Sequence, residues 1–168
     1  MSQFLLSLLV ALFLSHVSQA SPKIECFEVS AAFPLTVKQR LVLCTAALSE
    51  APLRCFELSA GSTLSPEQRA SLCQFAPSDA PTHCLKETQL ILELGNDQRQ
   101  KLCYLARDIA PAQCYNTTRG FVLSVDQRVT LCMGAGSDDP ITCFLNSGPT
   151  GLSVDQRVKL CAALPAIF

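Results

Sequence analysis

The ten cysteines of this 168-residue chain follow a spacing that repeats. The gaps between successive cysteines are 18, 11, 18, 11, 19, 11, 18, 11 and 18 residues, which is a period of 29 with one extra residue in the third unit. A fixed period of this size is typical of stacked arrays of small structural units. The chain therefore reads as five tandem repeats built on Cys26, Cys44, Cys55, Cys73, Cys84, Cys103, Cys114, Cys132, Cys143 and Cys161.

Other residues keep the same period. A Gln-Arg pair precedes every second cysteine, and a leucine lies directly before that cysteine. Four units also carry a proline three residues before the first cysteine, at Pro52, Pro81, Pro111 and Pro140. We expect one domain over residues 21–168, with approximate units 21–48, 49–77, 78–107, 108–136 and 137–168.

Each unit predicts two short helices. The second helix has a capping box, in which a hydroxyl residue is followed three positions later by Gln; the caps are Thr36, Ser65, Ser124 and Ser153, and Gly95 is a weaker cap in the third unit. The first helix begins with a small or acidic cap and a proline in its first turn. No stretch alternates with period two. The prediction is an all-α fold of five tandem ~29-residue disulfide-stapled helical hairpins, stacked as a short α-solenoid-like array.

The repeat limits how the cysteines pair. Pairing within units joins cysteines 18 or 19 residues apart, whereas pairing across the short gaps leaves Cys26 and Cys161 over. This parity favours pairing within units. Each such bridge closes a loop of about 20 residues, worth roughly 3 kcal/mol in the chain-entropy model. Zinc sites prefer cysteines two to four residues apart; none occur here, so neither metal nor cofactor is expected.

The first 20 residues predict a secretory signal peptide. Residues 4–14 form an apolar run of 11, too short for a bilayer span, which needs about 20. Small residues at Ser18 and Ala20 suit a cleavage site. Residues 164–168 are too short for a lipid-anchor signal. We expect a secreted extracellular protein with no transmembrane segment after signal removal, in a compartment where disulfides persist.

The sequence lacks the histidines and the sequence motifs that are typical of enzyme active sites. After signal removal one histidine remains, His83, and other units carry Arg54, Gln113 and Thr142 at its place. No nucleophile, zinc-protease or phosphate-loop motif is present. The neighbouring Asp138 and Asp139 are interpreted as the start of a helix. A net charge of −1 gives no basic surface for nucleic acid.

The Gln-Arg pairs suggest a possible binding row. In a regular stack, one arginine per unit would lie along one edge and could bind acidic glycans. The alternative is structural, with ion pairs to Glu50, Asp79, Asp108 or Asp138 at neighbouring helix starts; the near-zero net charge favours it. The row consists of Arg40, Arg69, Arg99, Arg128 and Arg157.

Two further segments stand out. Residues 88–94 of the third unit read TQLILEL, which we interpret as a longer first helix packed on its neighbours; the alternative is a partly exposed run that contacts a partner or lipid. Asn116 begins the only glycosylation sequon, in what we expect to be the connection of the fourth unit. A eukaryotic host would be expected to glycosylate it.

The predicted function is that of a secreted, non-enzymatic, cysteine-rich repeat protein. Stacked repeats create extended surfaces, which suit a binding or structural scaffold for extracellular protein or glycan partners. The alternative is a secreted carrier of lipids or other apolar ligands, in which the many leucine, valine and phenylalanine side chains would line a cavity between helices.

Overall fold

The computed structural model describes residues 21–163, and within this range the chain is all-helical. The predicted signal peptide and residues 164–168 lie outside the described residues. Across residues 21–163, none of the helices has the length and apolar character needed to cross a membrane. The ten α-helices are α1 (Pro22–Val29), α2 (Val37–Cys44), α3 (Ala51–Leu58), α4 (Pro66–Cys73), α5 (Ala80–Thr88), α6 (Asn96–Cys103), α7 (Ala110–Thr117), α8 (Val125–Cys132), α9 (Asp139–Asn146) and α10 (Val154–Cys161).

Each repeat is a hairpin of two helices joined by one disulfide, so the predicted fold class is confirmed. The bonds are Cys26–Cys44, Cys55–Cys73, Cys84–Cys103, Cys114–Cys132 and Cys143–Cys161. The bonded Cα atoms lie 5.5 to 5.6 Å apart, in the usual range for a disulfide. The structure therefore has the within-unit pairing that the parity of the cysteines favours.

The second helices begin with the predicted capping boxes. In repeat two, the Ser65 hydroxyl accepts from the Gln68 amide, and the Gln68 side chain accepts from the Ser65 amide. The same reciprocal pair occurs at Thr36, Ser124 and Ser153. At Gly95 the Gln98 side-chain oxygen accepts from the glycine amide, which is half of the box. These bonds satisfy amides that a helix start would otherwise leave without partners.

The first helices begin with serine caps, and Asp138 does not act as a cap through its side chain. Ser49 and Ser78 accept from the amides of Ala51 and Ala80, as helix-start caps should. In repeat five the same bond comes from Ser137, which accepts from the Asp139 amide. Asp138 occupies the cap position, but its side chain makes no capping hydrogen bond.

The hairpins stack in two layers. The second helices α2, α4, α6, α8 and α10 contact one another in chain order, and α3, α5 and α7 do the same on the other side. Buried side chains fill the space between the layers. Phe56 and Leu72 lie at the centre of the first half of this core, and Tyr115 and Leu131 at the centre of the second half.

Side-chain hydrogen bonds also link successive repeats. The capping glutamine of one second helix donates through Nε2 to an aspartate in the first turn of the next, at 2.6 to 2.8 Å. We call these bonds the Gln–Asp ladder; its steps are Gln68–Asp97, Gln98–Asp126 and Gln127–Asp155. Because one amide side chain both caps its own helix and binds the next, the ladder fixes the register of neighbouring repeats.

The third repeat corrects the prediction of a longer first helix. Helix α5 has nine residues, one more than the other nine helices, and ends at Thr88. Residues 89–94 continue as a loop, in which Ile91 and Leu94 are buried. Between these two residues lie Leu92 and Glu93, where the fourth repeat has Val122 alone. The extra residue of the third unit is thus placed in this loop.

Gly151 provides a test of the connections between helices. Its φ is +73°, which disfavours any residue with a Cβ, while no neighbouring atom lies within 4 Å of an added Cβ. Replacing Gly151 with Ala is therefore expected to lower the free energy of unfolding by about 1 kcal/mol through backbone strain alone. The measurement is denaturant unfolding with the disulfides intact. Gly136→Ala is the matched control, since its Cβ also meets open space without a positive φ; equal losses in both variants would refute the explanation.

Candidate binding surface

Three of the five arginines of the predicted row form hydrogen bonds to the end of their own first helix. In repeat two, Arg69 donates from Nε to the Ser59 hydroxyl at 3.0 Å and from Nη2 to the Phe56 carbonyl at 2.6 Å. Its guanidinium carbon lies 4.1 Å from the centre of the Phe56 ring. The same three contacts recur for Arg40 with Ser30 and Phe27, and for Arg157 with Ser147 and Phe144.

These contacts are those of a structural residue. In repeats one, two and five the guanidinium satisfies a carbonyl in the last turn of the first helix and covers the aromatic ring beside the disulfide. The expected ion pairs with Glu50, Asp79, Asp108 or Asp138 are wrong. Three of the arginines bind their own first helix, and the other two bind the loop of residues 89–94. Binding of a glycan by the row stays an untested prediction.

Repeats three and four depart from the arginine pattern. Threonine replaces serine at Thr88 and Thr118. Both hydroxyls donate to the carbonyl three residues earlier, as the serines of the other repeats also do, but they receive no hydrogen bond from an arginine within residues 21–163. The Nε atoms of Arg99 and Arg128 are buried without a hydrogen-bond partner. Arg99 donates to the Ile91 carbonyl at 3.2 Å instead. The third and fourth repeats therefore use their arginines to hold the loop that carries the extra residue.

Glu93 joins that loop to repeat four. Both its carboxylate oxygens accept from Arg128, at 2.9 and 3.0 Å, and Arg119 lies 3.3 Å away. The hydrogen bond from Arg128 holds the pKa of Glu93 below its usual value, and the charges of Arg128 and Arg119 act in the same direction. Burial raises the pKa of the neighbouring Tyr115 to about 12, so its phenol stays neutral at physiological pH. The bidentate geometry restricts the loop more than a single ion pair would.

Three large apolar side chains are exposed on the restrained loop and on the connection of repeat four. Leu90, Leu92 and Val122 have 83%, 92% and 98% of their surface open to solvent. We call these three residues the tip patch. Leu90 and Leu92 lie in the connection of repeat three and Val122 in that of repeat four, and the Glu93–Arg119 ion pair holds the two connections together. Sequence reasoning missed Val122, although its place between the half-buried Phe121 and Leu123 indicates an outward side chain.

The remaining candidate residues, Asn116 and His83, do not belong to the tip patch. Asn116 is exposed, but it belongs to the last turn of α7 rather than to a connection, which corrects its predicted position. Thr118, the third residue of the sequon, is buried, with its hydroxyl bonded to the Tyr115 carbonyl. His83 is exposed on α5, and its Nε2 lies 3.8 Å from Asp79.

Comparison with protein-family models, with curated proteins and with solved structures found no match to this chain.

The arginine contacts predict a selective effect of a conservative substitution. Arg69→Lys removes the fork that reaches both the Ser59 hydroxyl and the Phe56 carbonyl, because an ammonium group cannot reproduce the planar geometry. We expect the free energy of unfolding to fall by about 1.5 kcal/mol. Arg107→Lys, at an exposed arginine, serves as the control and should change it little. Similar values for the two variants in denaturant unfolding would show that the fork does not stabilise the fold.

The Glu93 ion pairs predict a pH-dependent effect. Glu93→Gln leaves the buried Arg128 without a charged partner and is expected to cost about 2 kcal/mol at neutral pH. Because the folded-state pKa of Glu93 is lowered, its contribution is present above the unfolded pKa and is lost as the pH falls through the folded one. The stability difference between wild type and variant should therefore shrink in acid.

Unfolding curves at several pH values measure that difference. The control is Glu87→Gln, which removes an exposed carboxylate on α5. A difference between wild type and Glu93→Gln that stays constant from neutral to acidic pH would contradict the role assigned to the Glu93 carboxylate.

Proposed function

We propose that the protein is a secreted, non-enzymatic scaffold that binds an extracellular protein through the tip patch. Five disulfides in a chain of this size are compatible with an oxidising compartment, where such bonds persist. The stack of hairpins supplies rigidity, and the connections between helices supply variable residues on one edge. Binding residues are often carried in this way, on loops that a rigid framework positions.

One observation carries the proposal. Leu90, Leu92 and Val122 are large apolar side chains almost wholly in water. Leu90 and Leu92 lie on the loop that Glu93 ties to repeat four, and Val122 lies on the connection of repeat four. Holding such side chains in water forgoes the free energy of burial, which is about 1.5–3 kcal/mol for a fully buried aliphatic side chain. A loop that is already ordered also loses little conformational freedom when it binds. Both terms favour association with an apolar surface.

A protein partner fits this surface better than an acidic glycan does. The tip patch is apolar, and the arginines that could have bound sulfate or carboxylate groups are engaged within their own hairpins or with Glu93. The nearest cation to Val122 in the sequence, Arg119, is paired with Glu93. The expected partner therefore presents an apolar patch that covers the three side chains.

Site-specific crosslinking tests the proposal. A photoreactive residue is placed at position 92 in the secreted protein, which is then added to the extracellular medium of cells that produce it and irradiated. We expect a protein adduct of one defined mass. Unlabelled wild type should compete for it, whereas the Leu90→Ser/Leu92→Ser/Val122→Ser variant should not. The matched control places the same group at position 48, since Leu48 is equally exposed in the connection between repeats one and two.

Other outcomes would overturn the proposal. Equal adducts at positions 92 and 48, or no adduct, would exclude a specific protein surface at the tips. Binding to phosphatidylcholine vesicles that the triple variant abolishes would assign the tip patch to lipid. Retention on a sulfated matrix that falls in the Arg69→Ala/Arg99→Ala/Arg128→Ala variant would assign binding to the arginines instead.

A further inference from the structure

The outward faces of the first and last repeats within residues 21–163 correspond to the two halves of a junction that the chain makes internally. The position two residues after each capping glutamine shows this most clearly. Its side chain is buried in repeats two, four and five, at Ala70, Val129 and Val158, and half-buried in repeat three. In repeat one the same position is Leu41, with 53% of its surface exposed. This position therefore faces the preceding repeat, and none of the described residues forms a repeat before repeat one.

The position four residues after the glutamine behaves in the opposite way. Leu43, Leu72, Leu102 and Leu131 are fully buried in repeats one to four. In repeat five the corresponding Leu160 is 62% exposed. This position therefore faces the following repeat. The second helices are in contact throughout the array. At each internal junction, the residue four positions after the glutamine in one repeat therefore faces the residue two positions after the glutamine in the next.

The first helices add to the open face of repeat one. The residue two positions before each first cysteine is buried in repeats two to five, at Leu53, Thr82, Ala112 and Ile141. Its counterpart in repeat one, Ile24, is exposed. Ile24 and Leu41 line an apolar groove of about 280 Å³ together with Phe27 and Cys44. A stacked array normally ends in repeats with a polar outer face, whereas large apolar side chains are exposed on the outward faces at both ends of residues 21–163.

We propose that copies of this protein associate head to tail. The Leu160 face of one copy docks on the Ile24–Leu41 face of the next and continues the internal stacking across the boundary. The occupant is a second copy of this chain, because its two end faces carry side chains at the same repeat positions as the faces that pack together within the chain. Residues 153–158 repeat the sequence of residues 124–129, so repeat five carries the same helix start that repeat four presents to its neighbour. This inference does not depend on the tip patch.

The association should be weaker than an internal junction. Across the boundary, Gln156 meets Lys38, where repeats three to five have an aspartate that accepts the ladder bond. Because the Gln156 amide and the Lys38 ammonium are both hydrogen-bond donors, no ladder bond forms at the boundary. This limits the affinity between copies and hence the number of copies in an assembly. Because the contact joins unlike faces and need not close, its products are open chains of copies rather than a fixed symmetric dimer.

Complementation between two blocked variants tests the head-to-tail arrangement. Leu160→Asp and Leu41→Asp each place a charge on one face at an exposed position, so both proteins should fold. We expect the wild type, secreted from the full-length chain, to show concentration-dependent association in analytical ultracentrifugation. Each variant alone should be monomeric. An equimolar mixture should form a dimer and nothing larger, since one intact face of each kind remains.

A gain of affinity gives an independent test. Lys38→Asp supplies the acceptor that the ladder lacks at the boundary and should tighten association about fivefold, the size expected for one added hydrogen bond. Lys38→Ala is its control and should tighten it less. Leu92→Asp should leave association unchanged, because the tip patch is not part of either face.

Three results would overturn the proposal. A wild type that stays monomeric at every concentration would exclude association. Dimers of Leu160→Asp alone would show that two like N-terminal faces meet instead. A lipid recovered with the monomer and lost in Ile24→Asp/Leu41→Asp would assign the groove to an apolar ligand.

Discussion

The disulfide within each hairpin is the constraint on which the rest of the structure depends. Helices of eight or nine residues are too short to be stable alone in water, and one pair of them buries little apolar surface. Each disulfide holds two such helices side by side and lowers the conformational entropy that the chain loses when they pack together. It also places an aromatic or leucine side chain beside the bond, where the preceding repeat can pack on it, as Phe33 does on Phe56 and Phe121 on Phe144. Stacking of the hairpins then supplies the burial that no single repeat achieves.

The arginine next to each capping glutamine fixes the hairpin a second time. In repeats one, two and five it joins the second helix to the last turn of the first through a serine, a carbonyl and a ring face. In repeats three and four the same arginines have been turned toward a loop. Arg128 holds Glu93 in two hydrogen bonds, and Arg99 holds the Ile91 carbonyl. A structural side chain has thus become the support for an exposed apolar edge.

The two proposed surfaces use different parts of the repeat. The tip patch lies on connections, where an added residue changes the edge without disturbing the core. The end faces lie on helices and are fixed by the packing that stacks the repeats. A partner at the tips could therefore bind a chain of head-to-tail copies as well as a single copy, and each copy in such a chain would present one tip patch.

The sequence by itself determined the repeat, the helices and the helix starts. Period, capping boxes and the Pro-containing first turns are local patterns whose physical effect lies within a few residues, and the structure has them at Ser65, Ser124 and Ser78 as expected. The parity of the cysteines likewise favoured the bonds that the structure contains. The end of α5 could not be predicted from a local pattern, because the run at residues 88–94 is apolar enough for either a helix or a loop.

Only the tertiary structure decided where the long polar side chains go. Arg128 and Glu93 are 35 residues apart in the chain, and Gln68 and Asp97 are 29 apart. Such pairs depend on the register between repeats, which no local pattern specifies. The predicted ion pairs of the arginines failed for this reason. The same register decides that Leu41 and Leu160 are exposed while their counterparts are buried, because burial at these positions requires a neighbouring repeat.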